Sequence, residues 1–94
     1  MDMNRLSKIP KCGSLPDPRR EKIVVGAKQL RKAMRSDAVA RVYLAQNADP
    51  AVTEPLMELC SRNDIQISWV RTMAELGSAC GIEVGAAAAA ALKP

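Results

Sequence analysis

Seven basic side chains, Arg19, Arg20, Lys22, Lys28, Arg31, Lys32 and Arg35, fall between positions 19 and 35, where Glu21 is the only acid. The chemistry open to such a cluster is non-covalent, namely attraction of a polyanion. This stretch carries a net +6, the residues before it +1 and those after it −3, so the chain's overall +4 sits on one element of a mildly acidic body. Arg31, Lys32 and Arg35 have no carboxylate at helical spacing apart from the terminal Asp37. An ordinary solvated helix face is the alternative, and the lack of carboxylate partners favours a polyanion-binding face.

Other chemistries lack their residues. Histidine is absent, no paired carboxylates form a recognisable motif, and no glycine-rich phosphate loop carries its lysine. Cys12, Cys60 and Cys80 are odd in number and far apart, which argues against disulfides and against zinc. Cys80 reads as a small core residue at a helix end, with no base to activate it. An enzyme is not expected, and neither is a metal or cofactor. With one tryptophan, one tyrosine and no phenylalanine, recognition of single strands by base stacking also fits poorly. No apolar run approaches the roughly 20 residues that span a bilayer, and Asp2, Asn4, Arg5 and Lys8 interrupt any secretory leader. A cytoplasmic protein without membrane contact is expected.

A second feature stands apart from the charge. Residues 75–85 read Glu-Leu-Gly-Ser-Ala-Cys-Gly-Ile-Glu-Val-Gly, a short helix stopping at Gly81 and then a tight loop that holds Ile82, Glu83 and Val84 between glycines. So short a loop does not readily bury both aliphatic side chains. Positive φ at the flanking glycines would let the loop present them to a partner. Plugging the end of the core is the alternative use for Ile82 and Val84.

The elements that position these residues alternate between strand and helix. The segment Met1 to Pro18, with Pro10, Gly13, Pro16 and Pro18, reads as a flexible extension in which Met3 to Ile9 could form a helical turn on contact with a partner; residues 19–94 read as one α/β domain. Lys22 to Val25 reads as a strand ended by Gly26. Ala27, Leu30, Ala33 and Met34 then give a helix its apolar face, with Lys28 and Lys32 one turn apart on the other side. Val42 to Ala45 is an apolar run suited to a strand buried on both faces. A turn at Asn47 to Pro50 leads to a helix carrying Val52, Leu56, Leu59 and Cys60, its proper start placed near Thr53 because Pro55 is costly deep inside a helix. Asn63-Asp64 closes it. Ile65, Ile67 and Trp69 alternate with Gln66 and Ser68 as a strand, and Thr72 with Glu75 has capping-box spacing. Ala86 to Ala91 is six consecutive alanines. Propensity alone makes them helix, but the preceding alternation asks for a last strand, and small side chains there would let helices pack closely on a sheet.

Three ordered motifs carry a resemblance. Val25-Gly26-Ala27-Lys28-Gln29-Leu30-Arg31-Lys32-Ala33, Ala45-Gln46-Asn47-Ala48-Asp49-Pro50, and the Glu75 to Ala88 segment together resemble the ribosomal L7Ae/L30e family of kink-turn RNA-binding proteins, in particular its small bacterial members. The resemblance runs from about Lys22 to Leu92. It implies a three-layer α/β/α sandwich around a four-stranded mixed sheet that binds RNA stems bent at tandem sheared G·A pairs. Ribosomal or regulatory RNA, and with it the ribosome, is the expected partner, a monomer is the expected state, and DNA is not expected. By position the resemblance implies that Gly26, Lys28, Gln29 and Lys32 line the RNA-facing start of the second helix; the charge cluster adds Arg31 and Arg35 as expected RNA contacts. The resemblance also implies that Gly81, Ile82, Glu83 and Val84 form a loop lying against the kink.

The chemistry agrees with those placements. Uncapped amides and the positive end of a helix dipole suit phosphate, and Gly26 lets backbone approach RNA without a Cβ in the way. Gln29 both donates and accepts at a guanine edge, while Lys28 and Lys32 reach acceptors or phosphates. Archaeal and eukaryotic relatives usually carry Asn-Glu where this chain has Lys28-Gln29, so its base contacts would differ from theirs. A protein-interaction module of the same fold is the competing reading, since fold does not fix function.

Overall fold

The computed structural model describes residues 15–94; the helical turn considered for Met3 to Ile9, and most of the extension, lie outside them. Seven elements follow in order: β1 (Ile23–Val25), α1 (Ala27–Arg35), β2 (Val39–Ala45), α2 (Pro50–Arg62), β3 (Ile67–Val70), α3 (Met73–Ala79) and β4 (Ala88–Leu92). The sheet runs β1-β4-β2-β3, with β2 and β3 parallel and β4 antiparallel to both of its neighbours. It is the four-stranded mixed sheet in an α/β/α arrangement that the resemblance implied.

Alternation along the strands sorts side chains into two layers. Val24, Val42, Leu44, Ala88 and Ala90 pack with Leu30 and Met34 of α1 and Leu56 and Cys60 of α2. Ile23, Val25, Tyr43, Ala45, Val70, Ala89 and Ala91 pack with Leu76 and Met73 of α3. The alanine run is a strand, as expected, and 88 to 90 are fully buried. It is central in the sheet, so both faces are covered and neither has room for a longer side chain.

Strands β1, β3 and β4 start one or two residues later than the sequence reading placed them, and two boundaries differ by more. Helix α2 begins at Pro50 rather than near Thr53: Pro50 takes the first helical position, where no amide is needed, and the Asp49 carboxylate accepts from the Ala51 N–H at 2.9 Å. Pro55 is tolerated because it is exposed, as is Ala51, whose carbonyl the missing amide would have met and which is left open to solvent. Strand β2 starts three residues before Val42 because Val39 and Arg41 pair with Leu92 and Ala91 of β4, across an irregularity between them.

Burial pushes the Cys60 thiol up from 9.0 to about 11, and burial also raises Tyr43. Between those two thiol values the folded chain holds more protons than the unfolded one, so stability falls as pH rises. In reductant, stability from denaturant midpoints should drop by about 2 kcal/mol between roughly pH 8 and pH 11; a flat profile would contradict a desolvated Cys60. Ala90→Leu should destabilise by about 1 to 3 kcal/mol in the same measurement, because neither layer can accept the added volume.

Candidate nucleic-acid interface

Strand direction determines what meets what. β1, β2 and β3 are mutually parallel, so α1, α2 and α3 all start at the same end of the sheet, and the antiparallel β4 enters from that end. Hydrogen bonds tie the four strand ends into one row. Gly26 N–H donates to the Ala88 carbonyl at 2.9 Å, Ala45 N–H to Ala87 at 3.0 Å, and Gln46 N–H to Val70 at 2.7 Å. The start of α1 and the loop feeding β4 are therefore neighbours by topology. In sheets of this kind the carboxyl ends of the parallel strands are where ligands bind.

The three helix starts are not equivalent. Asp49 caps α2, and Thr72 Oγ1 accepts from the Glu75 N–H of α3 at 3.0 Å. Helix α1 has Gly26 as its N-cap, no side-chain cap and no acid in its first turn. Its first amides keep their partial positive charge unquenched. Gly26 sits at φ 102°, and a Cβ built there meets nothing within 4 Å, so its φ excludes other residues more firmly than crowding does.

Lys28, Arg31, Lys32 and Arg35 recur at helical spacing opposite the buried Leu30 and Met34, and all four are exposed. Gln29 is exposed beside them. Among the described residues none of these four cations forms an ion pair, whereas Arg19 and Arg20 reach Asp17, Arg62 reaches Glu58 and Lys93 reaches Asp37. Like charges one turn apart cost a helix a few tenths of a kcal/mol per pair. A stripe that repels itself and is left unneutralised is suited to an external anion.

The second half of the interface is held by α3. Gly81 N–H donates to Ser78 and Ile82 N–H to Gly77, both at 3.0 Å, and Ala86 N–H donates to Met73 at 3.0 Å, so the loop is pinned to the helix at both ends. A Cβ on Gly77 would lie 2.0 Å from the Val84 carbonyl oxygen, so only glycine lets the loop lie this close. On the far side, Asn47 Oδ1 accepts from the Met73 N–H at 2.8 Å and links the β2–α2 turn to the same helix.

Of the two flanking glycines, only Gly81 uses positive φ, at 83°; Gly85 instead sits 3.2 Å from the Met73 Cβ, measured from an idealised Cβ of its own. The two aliphatic residues part company. Ile82 is half-buried against the α3 layer, while Val84 is 70% exposed. Plugging the core accounts for Ile82 only. Glu83 is exposed with no ion pair among the described residues.

Every sequence-predicted residue thus falls on α1 or on the loop at this end, except that Arg35 lies toward the far end of α1. Sequence reasoning missed Arg71, an exposed cation directly after β3 at the same end of the sheet. It lies outside the basic cluster, and only the order of the strands reveals its position.

The sequence profile of the ribosomal protein L7Ae/L30e/S12e/Gadd45 family matches residues 16–94. The chain is 49% identical over 69 residues to an RNA-binding protein of Caldanaerobacter subterraneus subsp. tengcongensis, spanning 73% of this chain and 84% of that one. It is 44% identical over 70 residues to an RNA-binding protein of Bacillus pumilus, spanning 74% and 85%. The Giardia lamblia 15.5kD RNA binding protein superposes with a TM-score of 0.71 at 25% identity, over 77% of this chain and 61% of the other.

Gly77→Ala should push the loop away from α3. The expected result is a loss of about 1 to 3 kcal/mol in denaturant unfolding, together with amide shift changes concentrated at Ile82 to Ala86. An unperturbed loop in that variant would show that the close approach is not what holds it.

Proposed function

The chain belongs to the ribosomal protein L7Ae/L30e/S12e/Gadd45 family, and on that footing we propose that it is a non-enzymatic RNA-binding protein that recognises and stabilises kink-turns. The observation that carries this reading is the convergence, at one end of the sheet, of an uncapped basic helix start and an apolar loop pinned by α3. The names of the two bacterial relatives, both RNA-binding proteins, support the class of partner.

Ordinary A-form RNA hides its base edges in a deep, narrow groove that side chains cannot read. A kink opens that groove at the sheared G·A pairs. There Gly26 and the first amides of α1 meet phosphate, Gln29 addresses a guanine edge, and Lys28 and Lys32 reach base acceptors or phosphates. Val84, exposed on a pinned loop with Ile82 anchoring it, packs on a nucleotide unstacked by the bend, and Glu83 accepts from a base amino group or a ribose hydroxyl. Arg71 adds a cation on the remaining side. Because bent and extended RNA interconvert, a protein that contacts only the bent form shifts the population by its difference in affinity. Positioning and charge suffice for this, in ribosomal or regulatory RNA of the cytoplasm, with the protein acting as a monomer.

The test is binding at stated salt to a kink-turn RNA and to the same RNA with its tandem G·A pairs replaced by Watson–Crick pairs. The kinked RNA should bind roughly tenfold or more tightly; equal affinities would leave only a general basic patch. Lys32→Ala and Gln29→Ala should each cost about 1 to 3 kcal/mol on the kinked RNA where the side chain contacts a base. A loss spread evenly over all RNAs would reassign that residue to phosphate.

A further inference from the structure

The cationic stripe does not end where the proposed kink-turn contacts end. From Lys28 to Arg35 it follows α1 for about 10 Å, away from the helix start and the loop. Its far half borders a groove of about 450 Å³ between α1 and α2, lined by Arg31, Met34, Arg35, Leu59 and Asn63. Arg31 and Arg35 stand one turn apart on its rim, exposed and without ion pairs among the described residues. Of the two acids of α2, Glu54 and Glu58, neither lines the groove, and Glu58 is matched to Arg62 at 3.9 Å. The groove is thus a positive surface continuous with the first site.

Its floor narrows the chemistry of what fits. Met34 is buried and Leu59 half-buried, giving an apolar base beneath the two guanidinium groups. The Asn63 amide nitrogen donates to the Leu59 carbonyl at 2.8 Å, which leaves its amide oxygen as an acceptor on the groove lining. Guanidinium forks above, an apolar floor and a hydrogen-bond acceptor at one end match the phosphate, sugar face and 2′-hydroxyl of RNA. An acidic peptide could use the arginines as well; the continuity of the cationic stripe with the start of α1 is what favours RNA.

We propose that the α1–α2 groove is a second RNA-contacting surface, in which Arg31 and Arg35 hold the phosphate backbone of a stem flanking the kink. The proposal rests on the kink-turn reading and extends it: the protein would grip both the bend and the direction in which one stem leaves it.

The experiment compares the full chain with its Arg31→Ala/Arg35→Ala variant on three RNAs: a kink-turn with two long stems, and the same kink-turn with each stem in turn cut to the minimum that still bends. On the long RNA the variant should bind about tenfold more weakly, and the slope of log affinity against log salt should fall by about 2. Shortening one particular stem should weaken the unaltered protein similarly and erase its difference from the variant. Unchanged affinity and slope would overturn the proposal and leave the groove to an acidic protein partner. Equal losses on all three RNAs would overturn it too, by placing the arginines on the kink itself. Lys32→Ala, measured alongside, separates the two readings: it should weaken all three RNAs whether or not the groove is used. A protein that ignores G·A replacement fails the first reading independently. Both arginines are exposed and repel each other, so a thermal midpoint that is unchanged or slightly raised should accompany the loss of affinity, and Arg35→Glu should enlarge that loss.

Discussion

The strand that everything else depends on is β4. It lies between β1 and β2, with α1 and α2 against one face and α3 against the other, and its pairing to both neighbours is antiparallel. Two consequences follow from this single placement. Its side chains must be small, because two helical layers converge on it, and alanine fills that requirement at the cost of burying little apolar area per residue. Its direction also forces the loop that feeds it, residues 80–87, to the end of the sheet where α1 begins. Were β4 parallel to its neighbours, Val84 and Lys28 would lie at opposite ends of the molecule.

That geometry explains why the architecture was legible in the sequence and the finer form of the site less so. The strand and helix periods, the Thr72 cap and the alternation that made the alanine run a strand are all local signals, and local packing honours them. Asp49 and Pro50 carried the true start of α2 as a local signal as well, and the weight given to Pro55 obscured it. Other features are products of topology. Nothing near Arg71 in the chain marks it as sharing an end of the sheet with Lys28, which stands at the opposite edge; only the order and direction of the strands bring the two to one end. The role of Gly77 was likewise hidden, because a glycine inside a helix looks like a weakness until the Val84 carbonyl is seen resting where its side chain would be.

The charged helix illustrates a trade between stability and function. Lys28 with Lys32, and Arg31 with Arg35, repel at one-turn spacing, and the helix start goes without the cap that Asp49 and Thr72 supply to the other two helices. Each choice costs the isolated fold a fraction of a kcal/mol to about 1 kcal/mol. The packing of Leu30 and Met34 against the alanine strand is strong enough to hold α1 regardless. What the fold gives up in local stability it retains as unquenched positive charge at one end, the condition under which an anion gains most from arriving.

Charge alone would make a protein that binds any RNA, and under the proposed reading the pinned loop is what distinguishes shapes. Three backbone hydrogen bonds and the close Gly77 contact fix the loop before a partner arrives, so little ordering entropy is spent when Val84 meets one. A rigid apolar tip has nothing to pack against on a regular duplex, whose bases are stacked, and it would there hold water-exposed surface against a polar backbone. On an RNA with an unstacked nucleotide at the right distance from the helix start, the same tip gains burial while the amides and lysines keep their phosphates. Discrimination under the proposed reading then arises from the fixed separation of two modest contacts, one polar and one apolar, which only a bent RNA satisfies together.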